Sequence, residues 1–123
     1  MPLRLEVEEL DAQTAVVTFD GLLTLSAELR VAEESLAALI ERGFTRLVFD
    51  LAAVPYCDSS GLGVLVRTYG LALGHVGLIR LCRVAAKVAV VLTMTNTDTL
   101  LPMDPDRASS LAAMPRVSRY PAR

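Results

Sequence analysis

One lysine, one histidine and two cysteines are all that these 123 residues contain of those residue types, and each scarcity removes options. Positive charge is carried almost wholly by arginines spread along the chain, with Lys87 the only lysine, and the formal net charge is −2. There is no basic stripe interleaved with aromatics, so nucleic acid is not expected as a partner. Cys57 and Cys82 lack the close spacing of metal ligands. They are read first as buried reduced thiols, with a disulfide or a metal site as the remaining options. His75 sits in Gly74-His75-Val76-Gly77, where a solvent-facing loop residue is expected rather than a catalytic base. No Gly-x-Ser-x-Gly string surrounds Ser59 or Ser60, and no Gly-x-x-x-x-Gly-Lys loop occurs. An enzyme is therefore not expected, nor a metal or cofactor. The opening Met1-Pro2-Leu3-Arg4-Leu5-Glu6 lacks the apolar core of a signal peptide, and no run approaches the length of a bilayer span. A cytoplasmic protein with no membrane insertion is expected.

What is present is apolar residue content, 53% of the chain, enough for one domain with a real core. Leu3, Leu5 and Val7 alternate with charged residues, predicting a half-buried strand. Asp11-Ala12 turns the chain into a second strand, Ala15 to Asp20, as a hairpin. Ser26 caps a helix whose Leu29, Ala32, Leu36, Leu39 and Ile40 share one face, with Gly43 as its C-terminal stop. A central strand runs over Arg46 to Leu51, and further strands are expected at Leu78–Cys82 and Leu100–Met103. The β-branched stretch Val84 to Thr93 is read as a helix, because the next strand can run parallel only if a helix returns the chain. Its Ala86, Val90 and Thr93 then face outward, a surface that a second copy could cover. A last helix from Pro105 to Ala113, capped by Asp104, completes the domain at residues 1–113, and 114–123 is expected to be a disordered tail.

The informative stretch is Pro55-Tyr56-Cys57-Asp58-Ser59-Ser60-Gly61-Leu62-Gly63, between the central strand and a helix from Leu62 to Leu73. Asp58 suits an N-cap, which places the hydroxyls of Ser59 and Ser60 in the first turn beside unpaired amides and the positive end of the helix dipole. Gly61 and Gly63 would leave the backbone bare there. A serine so placed is suited to carry a phosphoryl group. The helix has an expected inner stripe of Leu62, Leu65, Val66, Tyr69 and Leu73, leaving Ser60, Gly63, Val64, Arg67 and Leu71 outward.

Strand, then Asp58-Ser59-Ser60-Gly61-Leu62-Gly63-Val64, then helix, resembles the signature of the STAS domain, most closely in the bacterial anti-sigma factor antagonists. Met94 to Pro102 is similar to a loose version of the family's Thr-Gly-Leu turn. The resemblance covers roughly residues 3 to 113. It implies an α/β fold, a single STAS-like domain with a mixed, mostly parallel sheet of about five strands and about four helices, and no catalytic activity. It further implies binding to an anti-sigma factor with serine kinase activity, phosphorylation of Ser59 by that kinase, and reversal by a serine phosphatase. The expected partner surface comprises Asp58, Ser59, Ser60, Gly61, Gly63, Val64, Arg67 and Leu71, with Leu23 and Thr24 from the loop before the first helix. The sequence departs from the family in that loop, where Gly21-Leu22-Leu23-Thr24 replaces Gly-Glu-Leu-Asp, so that Leu22 and Thr24 stand in place of two acids. A constitutive STAS interaction subunit, for instance of an ATP-driven lipid transporter or a signalling assembly, is the alternative reading. A homodimer is compatible with either.

Overall fold

The computed structural model describes residues 2–116. The chain begins with an antiparallel hairpin of β1 (Arg4–Glu9) and β2 (Thr14–Asp20). It continues through α1 (Ala27–Glu41), β3 (Arg46–Ala53), α2 (Ser59–Gly74), β4 (Leu78–Cys82), α3 (Ala86–Met94), a 3-10 turn at Thr97–Thr99, β5 (Met103–Asp104) and α4 (Arg107–Ala112). The five strands lie in the order β1-β2-β3-β4-β5, and every pair after the hairpin is parallel. The sequence expectation of a mixed, mostly parallel α/β sheet is met.

Strand side chains alternate between the two sheet faces, and that period divides the core in two. On one face Val17, Phe19, Leu47, Phe49 and Leu81 are buried with Leu36 of α1, Leu65 of α2 and Val88 of α3, and the rings of Phe19 and Phe49 lie 5.1 Å apart. On the other face a small cluster of Val16, Val48, Cys82 and Met114 lies under Leu111 of α4. Around it the same face is polar. Arg46 reaches from β3 to the carbonyl oxygens of Met114 (3.1 Å) and Leu111 (2.9 Å) and to the Thr14 hydroxyl (2.9 Å), closing the C-terminus of α4 onto the sheet.

α1 follows its predicted stripe and cap: Leu29, Ala32, Leu36, Leu39 and Ile40 are buried, and Ser26 Oγ accepts from the Leu29 amide. α3 leaves Ala86, Val90 and Thr93 exposed, as expected. Both cysteines are buried, with neither thiol in a disulfide.

Four expectations are corrected. Val7 is exposed on the edge strand rather than half-buried. The last strand is Met103–Asp104, not Leu100–Met103, so Asp104 does not cap α4. Asp106 caps it instead, while Asp104 pairs with Arg80 of β4 through two bonds of 2.7 and 3.0 Å. The stripe of α2 is turned by one residue, as described below. Of the expected tail, Met114 is buried and Arg116 pairs with Asp11 at 2.6 Å, while 117–123 lies outside the described residues.

Candidate functional site

The start of α2 is built by two loops that tie each other down. The segment after β2 and the segment after β3 meet in a parallel bridge between Leu23 and Cys57. The Leu23 amide donates to the Tyr56 carbonyl at 3.1 Å, and the Asp58 amide donates to the Leu23 carbonyl at 3.0 Å. Leu23 itself is fully buried, so it anchors this seam and offers no side chain to a partner.

Asp58 is the N-cap the sequence predicts. Its Oδ1 accepts from the Gly61 amide at 2.9 Å, and its Oδ2 accepts from the Leu25 amide at 3.0 Å, binding the loop before α1 to the start of α2. Burial pushes this carboxyl upward, but the amides of Gly61, Leu25 and Ser60 outweigh that and hold it below the usual carboxylate range. Asp58→Ala is expected to lower stability by about 1–2 kcal/mol, because both amides lose their acceptor. That corresponds to a fall in Tm of roughly 4–8 °C for a domain of this size, readable by circular dichroism. Asp58→Asn, which retains an acceptor, should lose less.

Gly61 is buried against the loop so closely that a Cβ there would overlap the Leu23 carbonyl oxygen. It serves close packing of α2 on the loop, not a bare outer surface. The buried residues of α2 are Gly61, Val64, Leu65, Thr68 and Ala72, the predicted pattern displaced by one position. Val64 therefore points inward, while Leu73 is exposed. Leu71 is half-buried against the core, about 18 Å along the helix from Ser59 at 1.5 Å per residue, and plays no part in the first turn.

What remains together at the surface is coherent. Ser59 is exposed, Ser60 half-buried, and Gly63 half-buried under the Arg67 guanidinium, with Thr24 half-buried in the adjoining loop. Arg67 is fixed by a bidentate pair with Glu33 of α1, Nε to Oε2 at 2.7 Å and Nη2 to Oε1 at 3.0 Å. Hydrogen bonding from Arg67 holds Glu33 below its usual range. A groove of about 230 Å³ between the starts of α1 and α2 is lined by Leu25, Arg30, Glu33, Ser60 and Arg67, among others.

Two large side chains beside Ser59 were missed in the sequence. Leu25, 79% exposed, and Tyr56, 51% exposed, stand on the two loops that meet at Asp58. The signal for Leu25 was available: it precedes the Ser26 cap and so falls outside the buried stripe of α1. Cys57, next to Asp58, is not a reactive thiol. Burial, with the Asp58 charge adding to it, pushes it up to about 11. Among the described residues no cluster of His, Cys, Asp and Glu could hold a metal ion, and no helix is long and apolar enough to cross a membrane. The arrangement offers an exposed serine at a helix N-terminus, with two exposed apolar side chains on the adjoining loops and the Arg67–Glu33 ion pair farther along α2.

The family model for the STAS domain matches residues 4–110. No curated protein matches significantly. Among solved structures, an anti-sigma factor antagonist from Mycobacterium paratuberculosis is 24% identical, with 90% of this chain and 92% of that one covered at a TM-score of 0.77. The antagonist SpoIIAA in its unphosphorylated form is 16% identical, with 86% and 92% covered at a TM-score of 0.75. The phosphorylated form of SpoIIAA, a Bacillus cell fate determinant, is 14% identical, with 86% and 96% covered at 0.70.

Proposed function

We propose that this chain, which belongs to the STAS domain family, is an anti-sigma factor antagonist whose binding is switched by phosphorylation of Ser59. One observation carries the reading: the first serine of the Asp-Ser-Ser-Gly-Leu-Gly motif is exposed at the N-terminus of α2, beside the exposed Leu25 and Tyr56. The partner is an anti-sigma factor with serine kinase activity, met in the cytoplasm through Leu25, Tyr56, Ser59 and Arg67. The domain acts by binding and is not itself a catalyst.

The switch follows from electrostatics at this surface. Transfer of the γ-phosphoryl group of a nucleoside triphosphate forms the Oγ–P bond, breaks the bond to the leaving diphosphate and releases the hydroxyl proton. Hydrolysis by a serine phosphatase restores the hydroxyl and yields inorganic phosphate. The modification adds about −1.5 to −2 charges where the partner has to close over Leu25 and Tyr56. The α2 amides and dipole tolerate that charge in the free domain, while an apolar partner surface does not.

Ser59→Asp is expected to weaken partner binding roughly a hundredfold, and Ser59→Ala to leave it within about threefold of the unmodified chain. Titration calorimetry against the cognate anti-sigma factor measures both. Equal affinities for the two variants would favour a constitutive interaction subunit and dismiss the switch.

A further inference from the structure

The bidentate pair with Glu33 uses Nε and Nη2 of Arg67 and leaves Nη1 outside it. That nitrogen lies back along α2, 3.0 Å from the position a Cβ on Gly63 would take. Residues three and four apart share a helix face, and each Cβ leans toward the N-terminus. The strip over Gly63 is therefore continuous with Ser60 and Ser59, three and four residues earlier. At 1.5 Å per residue, Gly63 stands about 6 Å along the axis from Ser59. Any side chain at position 63 would fill the space into which the guanidinium reaches, and glycine keeps it open.

We infer that Arg67 is the internal receiver of a phosphoryl group on Ser59, and that in taking it Arg67 is shared with, or drawn from, Glu33. This rests on the reading that Ser59 is modified. Phosphoserine presents three strong acceptor oxygens and about −1.5 to −2 charges against the single charge of Glu33, and the planar guanidinium fork pairs with phosphate bidentately, as it does with a carboxylate. Arg67 is more than half exposed, so its side chain is free to turn without disturbing the core. The pair it leaves is the polar link between α1 and α2 beside the switch. Modification thus changes the partner surface twice: it adds charge at Ser59, and it frees Glu33 on the neighbouring helix. Arg30 lines the same groove as a second cation, and Asp58, committed to the Gly61 and Leu25 amides, is the like charge next to the phosphate.

The test uses the full chain with phosphoserine placed at position 59 during translation, so that no kinase is needed. The pH titration of its phosphate is followed by phosphorus NMR. Arg67→Gln is expected to raise the midpoint of the second ionisation by at least about 0.5 pH unit, because the dianion loses its cation. Glu33→Gln is expected to lower the midpoint relative to the unsubstituted phosphoprotein, because Arg67 is then no longer shared. Loss of either charge moves the midpoint in these senses through space as well, so the size of the Arg67→Gln shift decides. A direct contact keeps it at about 0.5 unit or more in roughly 0.5 M salt, and a shift that salt screens away overturns the inference. Midpoints that stay within about 0.1 unit in both variants overturn the inference. Unmoved midpoints together with a hundredfold loss of partner binding by Ser59→Asp would leave the switch standing and remove only the role of Arg67. A salt-resistant Arg67→Gln shift with no effect of Ser59→Asp on binding would do the reverse.

Discussion

Gly61→Ala is expected to destabilise the domain by more than about 3 kcal/mol, at the upper end of what overpacking does. The added methyl would overlap the Leu23 carbonyl oxygen and come within 2.7 Å of that carbonyl carbon and 2.9 Å of the Leu23 Cβ. None of these atoms can step aside cheaply. Leu23 is held in the parallel bridge to Cys57 and in backbone bonds to Tyr56 and Asp58, and its side chain is buried. Relief would have to come from lifting the start of α2 off the loop, which would also stretch the Asp58–Leu25 bond and disturb the presentation of Ser59. The loss corresponds to a fall in Tm of about 12 °C or more. Gly70→Ala is the control, since it lies in the same helix and, apart from its chain neighbours and the helix's own backbone, nothing comes within 4 Å of an added Cβ. There the usual helical preference for alanine prevails, and a gain of about 0.5–1 kcal/mol is expected. Equal behaviour of the two variants in thermal melts would mean that the contact with Leu23 does not set the position of α2.

That contact also explains which parts of the molecule were legible in the sequence. α1 has acids on one side and a clean apolar stripe on the other, so period and Ser26 cap fixed it together. The Asp58 cap was readable for the same reason: its amide partner at Gly61 is three residues away. α2 is apolar on most of its circumference, and a 3.6-residue period fits two faces one position apart almost equally well. The choice falls to Gly61, Thr68 and Ala72, small residues at the buried positions, where larger neighbours such as Leu62 and Tyr69 fit only partly. Nothing local announces this, because the surface that demands a small residue is the Leu23 backbone, far back in the chain. The misplaced cap of α4 has a similar origin. Asp104 and Asp106 are equivalent by local rules, and Arg80, 24 residues upstream, takes the first for a salt bridge.

The ion cluster around Asp50 was out of reach of sequence reasoning, since its side-chain partners lie 33 and 57 residues away. Its removal is the other large effect expected. Asp50 ends the hydrogen-bonded core of β3 with a fully buried side chain, and receives Arg83 at 2.6 Å, Arg107 at 2.8 Å and the Ala52 amide at 3.1 Å. Arg107 also donates to the Thr18 hydroxyl at 2.8 Å, so one carboxylate joins β2, β3, the end of β4 and α4. Asp50→Ala takes the acceptor from the Ala52 amide and the buried anion from two guanidiniums, of which Arg107 keeps only Glu8, at 3.7 Å, as an anion among the described residues. A loss of about 3–5 kcal/mol is expected, or roughly 12–20 °C in Tm. Arg83→Ala, whose side chain is half exposed, should cost less. Asp50→Asn isolates the charge. Burial pushes the Asp50 carboxyl up, but Arg83, Arg107 and the Ala52 amide outweigh burial and hold it below its ordinary 3.8. A group whose folded value lies below its unfolded one stabilises fully above the unfolded value, and that contribution disappears as pH falls through the folded value. The stability gap between the unsubstituted chain and Asp50→Asn should therefore be widest near neutral pH and narrow below about pH 4. Because α4 is pinned through this cluster to the strand that leads into the Ser59 loop, the same variant should loosen α4 before it alters Ser59. Hydrogen exchange would read that as faster amides at Ser110 and Leu111 with the α2 amides unchanged. A gap that stayed constant from about pH 7 to pH 3 would mean that the carboxylate's charge is not what fastens α4 to the sheet.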